Sequence, residues 1–418
     1  MESGRDCGPQ TAKSSPNLQR RRGASSPAAA TFSWRVGAYG TRMAVIRLVR
    51  FKRRAAQGVH VRNTTWRLGI IAALLSVACL PGRAQEPAHR WAIVLHGGAG
   101  VIERSSMTPE AEKQYRAGIK AALDAAAAVL DKGGPNGSAM DAVETAIKIM
   151  EDDPQFNAGR GAVFAADGSN QLDAAIMDGK TMQAGAVADV RTTRHPISLA
   201  RAVMEQSPHV FLVGAGADAF AAHVHLEQVP PSFFFTEHRW QQLVDALKKE
   251  GSPIPPRPEG APPAPEKPLA FVETPDNHKY GTVGVVALDR AGNVAAGTST
   301  GGTTAKRWNR VGDTPVIGAG TYASNDSCAV SGTGVGEYFI RLTVARTICA
   351  LVQYKGMSLQ AAADEVVQKQ LVALHGDGGV IALTPDGQLA WSFNTPGMFR
   401  AKLAEGGTAQ IGIYRDEP

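Results

Sequence analysis

Two threonines, an arginine–aspartate pair and a glycine-rich turn are the residues of this 418-residue chain whose spacing could do chemistry. Gly281-Thr282-Val283-Gly284-Val285-Val286-Ala287-Leu288 reads as a buried strand, mostly β-branched and apolar, that stops at the turn cluster Asp289–Asn293. A second run, Val294–Thr300, follows at once and ends at Gly301-Gly302. With the turn centred near Ala291, antiparallel pairing sets Thr282 opposite Thr300, and residues so paired share a face. Two hydroxyls then meet at the open end of a hairpin, beside glycines that leave room for a ligand. A Thr–Thr cross-strand pair is also an ordinary sheet contact, and on this stretch alone that is the better reading.

Three further groups follow the same logic. Arg310 and Asp313 place a guanidinium fork and a carboxylate within one turn, a clamp for the carboxylate and ammonium of a free amino acid or, more plainly, a surface ion pair. Ser331-Gly332-Thr333-Gly334-Val335-Gly336-Glu337 runs from a strand into a helix expected to reach Tyr354, and backbone N–H groups at such a junction suit an anion or oxyanion. Glu151–Gly161 is a Pro-stopped, Gly-punctuated loop whose carbonyls could face a hard cation; from spacing alone an ordinary solvated loop is preferred. His96, in His96-Gly97-Gly98-Ala99-Gly100, has no base–nucleophile partner nearby and reads as structural.

The elements that must position these groups are legible in outline. Trp91–Leu95 is a short strand ending at the glycines, which permit a tight turn and close approach to another segment. Thr108-Pro109-Glu110 starts a helix that Gly133-Gly134-Pro135 stops, and Ser138 with Asp141 opens a second carrying Val143, Ala146, Ile147 and Met150 on one face. Gln171–Gly179, Ala184–Val190 and His209–Gly214 read as strands, Pro196–Gln206 and Trp240–Lys249 as helices. Residues 251–268 contain 8 prolines and read as an extended, water-exposed linker. Gly378–Leu383 and Leu389–Phe393 finish the chain as a hairpin around Pro385-Asp386-Gly387.

The first 84 residues stand apart. A run of arginines and lysines precedes the 13-residue apolar segment Leu68–Leu80 and Gly82-Arg83-Ala84, the layout of a secretory signal peptide. Since 67 preceding residues are long for a signal, Met43 is an alternative start. The apolar segment is shorter than the ~20 residues of a membrane span, so no stable span is expected after its removal. A lipoprotein box at Ser76–Cys79 is the weaker reading. Of 44 Lys+Arg and 38 Asp+Glu, residues 1–84 hold 15 and 2, so the remainder holds 29 and 36, a net −7 beside the whole-chain +6. The basic balance belongs to the leader, and no nucleic-acid partner is expected. Cys328 and Cys349 are left in the body; they match no metal-ligand spacing and are expected to be buried small apolar residues, though export would permit one disulfide.

Taken in order, several stretches resemble the plant-type L-asparaginase / isoaspartyl peptidase family of N-terminal-nucleophile hydrolases. They are His96–Gly100, Phe156–Gly159, Leu172–Gly179, Gly281–Gly284, Thr298–Gly302, Arg310–Asp313 and Ser331–Glu337, spread over residues 90–405. The resemblance implies an α+β, four-layer αββα sandwich that cuts itself between Gly281 and Thr282. An α chain (85–281) and a β chain (282–418) would form one globular domain and pair as a dimer of αβ units. It implies Thr282 as nucleophile, its freed α-amine as base, Thr300 as orienting hydroxyl, and Thr333 with Gly334 as oxyanion hole. Arg310 and Asp313, with Gly336 beside them, would bind the substrate, asparagine or an isoaspartyl dipeptide. No cofactor is implied for catalysis. Carbonyls of Met150, Glu151, Asp153, Phe156, Ala158 and Arg160 would hold a structural sodium ion. Glycosylasparaginase on the same fold is the alternative, and a non-catalytic envelope binding protein a remote one. The leader implies a periplasmic or secreted protein.

Overall fold

The computed structural model describes residues 90–134, 137–265 and 281–417. The expected leader (1–84) and the stretch 266–280 lie outside them.

Strand β1 (Ala92–Gly100) runs past its expected end, because the glycines continue the strand instead of turning. Gly97 is an extra residue in the ladder with the strand Gly397–Ala404, a bulge between His96 and Gly98. Helix α1 (Pro109–Lys132) starts where Thr108 accepts the Ala111 N–H and ends at Gly133; α2 (Ala139–Asp152) starts where Ser138 accepts from Asp141. Strands β2 (Leu172–Asp178) and β3 (Ala184–Val190) pair antiparallel, and α3 (Pro196–Gln206) leads to the short β4 (Phe211–Val213), parallel to β3. Helix α4 (Gly214–His223) follows β4 directly. Helix α5 (Glu237–Lys249) begins earlier than expected because Thr236 caps it.

The segment after α5 is extended and largely exposed as far as it is described, as read, but it touches the body at a point that no sequence pattern marks. Arg257 grips Glu237 at 2.6 Å and lies over the rings of Phe235 and Trp240, 5.2 and 5.8 Å from their centroids. This contact is made through Arg257, and residues 262–265 beyond it are exposed, their conformation restricted by proline.

Strands β5 (Val283–Leu288) and β6 (Val294–Thr300) form the expected hairpin, with Val283 opposite Ser299 and Gly284 opposite Thr298. They are followed by β7 (Thr321–Ala323) and β8 (Ala329–Gly334). The helix expected to reach Tyr354 is two helices, α6 (Gly336–Leu342) and α7 (Val344–Lys355), broken at Thr343 with φ +45°. Helix α8 (Leu359–Asp364) continues into a π-helical stretch to Leu371. The hairpin β9 (Gly378–Leu383) and β10 (Leu389–Phe393) does not end the chain: β11 (Gly397–Ala404) follows and returns to β1, and β12 (Gln410–Tyr414) pairs with β11.

The strands form an eight-stranded sheet ordered β12-β11-β1-β5-β6-β2-β3-β4 and a four-stranded sheet ordered β10-β9-β8-β7. Alternation along β5 assigns its two faces. Val283, Val285 and Ala287 join the core under α1 and α2, with Ile119, Val143 and Ile147. Val286 and Leu288 point the other way, into a core shared with Ala329, Ile381 and Leu383 of the second sheet. Helices α7 and α8 cover that sheet's far side. The result is the αββα sandwich expected. Cys328 and Cys349 are buried as expected, but they are joined in a disulfide, with Cα atoms 5.3 Å apart, tying the start of β8 to α7.

Candidate active site

Thr282 immediately precedes β5 and shares the face of Gly284 and Val286, between the two sheets. Its Oγ1 donates to Thr300 Oγ1 at 3.2 Å, as the hairpin register anticipates. Thr300 donates in turn to the Gly281 carbonyl at 2.8 Å and accepts the Gly302 N–H at 3.0 Å. A second donor reaches the same carbonyl: Asn157 Nδ2, at 2.9 Å. Asn157 is locked, because Nδ2 also donates to Gly302 O at 2.8 Å and Oδ1 accepts the Val163 N–H at 2.9 Å. The bond between Gly281 and Thr282 therefore carries a hydroxyl on one side and a doubly hydrogen-bonded carbonyl on the other. Asn157 as a side chain was not anticipated from the sequence; only its motif, Phe156–Gly159, was noted.

Beneath the hairpin end lies a closed chain of polar groups between the sheets. His96 Nδ1 meets the Thr282 carbonyl and Nε2 meets Ser331 Oγ, each at 3.0 Å. Ser331 contacts Thr298 Oγ1 at 2.7 Å, which accepts from Thr321, also at 2.7 Å. All four side chains are fully buried, so each needs these partners. Burial lowers the His96 pKa to about 3, so the ring is neutral and its Nδ1–H donates to the Thr282 carbonyl. Gly284 makes the arrangement feasible, because a Cβ there would collide with both Ser331 Oγ and His96 Nε2. His96 is structural, as read, but what it supports is the residue at the hairpin end.

A small recess opens above the two threonines, lined by Gly281, Thr282, Thr300, Arg310, Asp313 and Gly334. Arg310 and Asp313 thus converge where the clamp reading needs them, though not on each other. Arg310 pairs in bidentate fashion with Glu337, both contacts 2.9 Å. Asp313 is buried with Oδ2 lacking any partner, and burial raises its pKa to about 7 against the opposing pull of Arg310. Gly336 permits this crowding: a Cβ there would lie 2.8 Å from Arg310 NH2 and 3.0 Å from Asp313 Oδ1. Thr333 lies behind the recess, fully buried, its Oγ1 accepting the Ala99 N–H at 3.3 Å.

The 150–160 loop sits at the C-terminal end of α2, away from this recess's lining. Asp153, Phe156 and Ala158 carbonyls accept one N–H each, from Phe156, Ala158 and Gly161. Gly159 and Gly161 bring the backbone hard against the Glu151 and Phe156 carbonyls. The Glu151 side chain is a buried hub, accepting from Ser299 Oγ at 2.6 Å and Ile197 N–H at 3.1 Å.

A four-layer αββα sandwich with a threonine at the mouth of its central hairpin, after a glycine whose carbonyl is doubly activated, is the frame of the N-terminal-nucleophile hydrolases. A family model described as asparaginase matches residues 89–413, and the chain belongs to that family. It is 46 % identical over 325 residues to an isoaspartyl peptidase of Escherichia coli K12, covering 78 % of this chain and 96 % of the relative. It is 39 % identical over 331 residues to a probable isoaspartyl peptidase/L-asparaginase of Arabidopsis thaliana, covering 78 % and 99 %. A plant-type L-asparaginase of Pyrococcus abyssi is 40 % identical over 324 residues, covering 75 % and 97 %.

Proposed function

We propose that the chain is a self-cleaving amidohydrolase that acts on the β-aspartyl bond of isoaspartyl dipeptides and the side-chain amide of L-asparagine. The observation that carries this reading is the hydrogen-bond set at the Gly281–Thr282 bond. Thr282 Oγ attacks the Gly281 carbonyl carbon. Thr300 takes the Thr282 proton while giving its own to the carbonyl oxygen, which Asn157 Nδ2 also holds. Collapse breaks the C–N bond, the nitrogen takes up the proton, and an ester links Gly281 to Thr282 Oγ. Water hydrolyses that ester, leaving a carboxylate on Gly281 and a free α-amine on Thr282.

That amine, with a reference pKa of about 7.7–8.0, then serves as the base that an amide nitrogen could not be. It removes the Thr282 hydroxyl proton as Oγ attacks the substrate's side-chain carbonyl. Thr333, whose Oγ1 already accepts from Ala99 and so keeps its O–H to donate, and the Gly334 N–H stabilise the oxyanion. Arg310 takes the substrate α-carboxylate and the unpartnered Asp313 oxygen takes the α-ammonium, with Gly336 leaving the space. The α-amine passes the Thr282 hydroxyl proton to the leaving nitrogen, ammonia or an amino acid departs, and water cleaves the β-aspartyl ester, regenerating the Thr282 hydroxyl. Every catalytic group in this scheme is a side chain or backbone group of the chain, with water as the second substrate.

Around this centre we assign a structural sodium ion to the carbonyls of Met150, Glu151, Asp153, Phe156, Ala158 and Arg160. Three of them spend a single lone pair within the loop and keep a second for a cation, and the negative end of α2 favours it. A dimer of αβ units suits the exposed Val210, Phe211 and Val213 at the edge of the larger sheet, 53, 42 and 58 % accessible. Export to the periplasm or beyond suits both the leader and the disulfide.

Denaturing electrophoresis and intact mass test the reading. Purified protein gives two fragments, the smaller beginning at Thr282, and Thr282→Ala stays one chain. Wild-type protein that remains uncut yet hydrolyses substrate refutes it, and glycosylasparagine as the best of three substrates, beside β-Asp-Leu and L-Asn, redirects it.

A further inference from the structure

Gly281 is a shared wall. On one side lies the recess of Thr282, Arg310 and Asp313; on the other lies a second recess lined by Gly97, Gly98, Tyr115, Gln155 and Arg239. Arg239 is only 5 % exposed, and among the described residues none of its contacts is with a carboxylate. Three of its donors are occupied: Nε–H by Gly161 O at 2.8 Å, NH1 by Gln242 Oε1 at 3.1 Å and NH2 by Gln155 O at 3.2 Å. A guanidinium carries five N–H donors, so one on each terminal nitrogen is left over, and the side chain lines the recess. Tyr115 reaches only the Gln155 carbonyl, at 3.5 Å, and Gln155 Oε1 is buried without any donor. A buried cation lacking a counter-charge is costly unless a ligand supplies one. The opposite wall is kept thin: a Cβ on Gly97 would lie 2.6 Å from the Phe156 ring, and one on Gly98 would lie 3.2 Å from Gly281 Cα.

These groups call for an anion beside a nitrogen that carries hydrogen, which is the composition of an amino-acid residue with a free carboxylate. We propose that this recess is the subsite for the leaving residue of a β-aspartyl dipeptide, with its α-carboxylate on Arg239 and its nitrogen facing Gln155 Oε1. The inference rests on the hydrolase reading above. Cleavage after Gly281 releases the wall, so the two recesses become one cleft with Thr282 Oγ between the halves. The aspartyl part is held by Arg310 and Asp313, and the departing residue by Arg239 and Tyr115. Free asparagine reaches only the first half.

The test compares mature enzyme on β-Asp-Leu, on the same dipeptide capped as its C-terminal carboxamide, and on L-Asn. A hydrogen-bonded charge pair is worth about tenfold or more, so the wild type favours the free acid over the carboxamide by that factor. Arg239→Gln lowers the β-Asp-Leu to L-Asn ratio of kcat/KM about tenfold, chiefly through KM, and abolishes the acid-over-carboxamide preference. Tyr115→Phe lowers the same ratio by less. Because Arg239 also anchors the 155–161 loop, the wild-type comparison stands by itself if the glutamine variant misfolds. Equal rates on acid and carboxamide overturn the subsite while leaving the hydrolase intact. Failure on all three substrates overturns the hydrolase reading and the subsite with it.

Discussion

Replacing Thr300 by valine removes one oxygen and keeps the side-chain shape. That oxygen makes three contacts: it accepts from Thr282 at 3.2 Å and Gly302 N–H at 3.0 Å, and donates to Gly281 O at 2.8 Å. Self-cleavage develops negative charge on Gly281 O, which has two donors in the precursor, Thr300 and Asn157. Losing one such donor costs about 2.7–4 kcal/mol in the transition state, or about 10²–10³ in rate. The proton relay from Thr282 is lost as well, so this range is a lower bound. Folding is weakened as well: the Gly302 N–H and the Thr282 O–H both lose their acceptor, at about 1–3 kcal/mol each. Thr300→Val therefore accumulates as a folded, uncut precursor, followed by intact mass over time and by thermal melting. Thr300→Ser restores the oxygen and most of the rate. Self-cleavage of the valine variant within about tenfold of wild type would show that Gly281 O does not depend on Thr300, and the relay would fall.

Two further outcomes follow from the same geometry. Asp313 ionises at 3.8 when unfolded but at about 7 when buried, so the folded state loses stability as pH rises between those values, by about 4 kcal/mol at most. In an uncleavable Thr282→Ala background, Asp313→Asn raises resistance to denaturant at pH 8, and the gain disappears at pH 4; a gain independent of pH excludes the carboxylate as its cause. The Cys328–Cys349 bridge spans 21 residues, so Cys328→Ala/Cys349→Ala costs about 3 kcal/mol. Both cysteines follow Gly281, so a non-reducing gel still separates the two fragments; a single band that reduction resolves would contradict this pairing.

The hairpin and its threonine pair were legible because the connection is short. A turn confined to Asp289–Asn293 fixes the register, and the register alone brings Thr282 and Thr300 together. Cap chemistry was equally local, and Thr108, Ser138 and the proline-led α3 start where their residues say. What escaped was set by distant partners. Asn157 acquires its role from Gly281 and Gly302, more than a hundred residues away, and no local pattern marks a buried amide. Strands β11 and β12 have weak alternation with Arg400 and Lys402 inside β11; Arg400 is buried over Trp391 and Phe393, which periodicity cannot foresee. The break at Thr343 depends on one residue in a left-handed conformation that β-branched side chains avoid. The proline-rich stretch docks through one arginine finding an aromatic face and a glutamate.

The strand order of the larger sheet has a consequence for how the enzyme ages. Strands β1 to β4 precede the proposed cut after Gly281 and β5, β6, β11 and β12 follow it, yet the sheet runs β12-β11-β1-β5-β6-β2-β3-β4. The two products are woven together at three seams, β11/β1, β1/β5 and β6/β2. Neither can leave without exposing a strand edge buried in the middle of the sheet. Before the cut, folding is a first-order search by one chain. Afterwards recovery from unfolding is a second-order encounter of two, and dilution works against it. Such a cut would close the road by which the molecule was built, and the cleaved enzyme would then endure through the slowness of its unfolding.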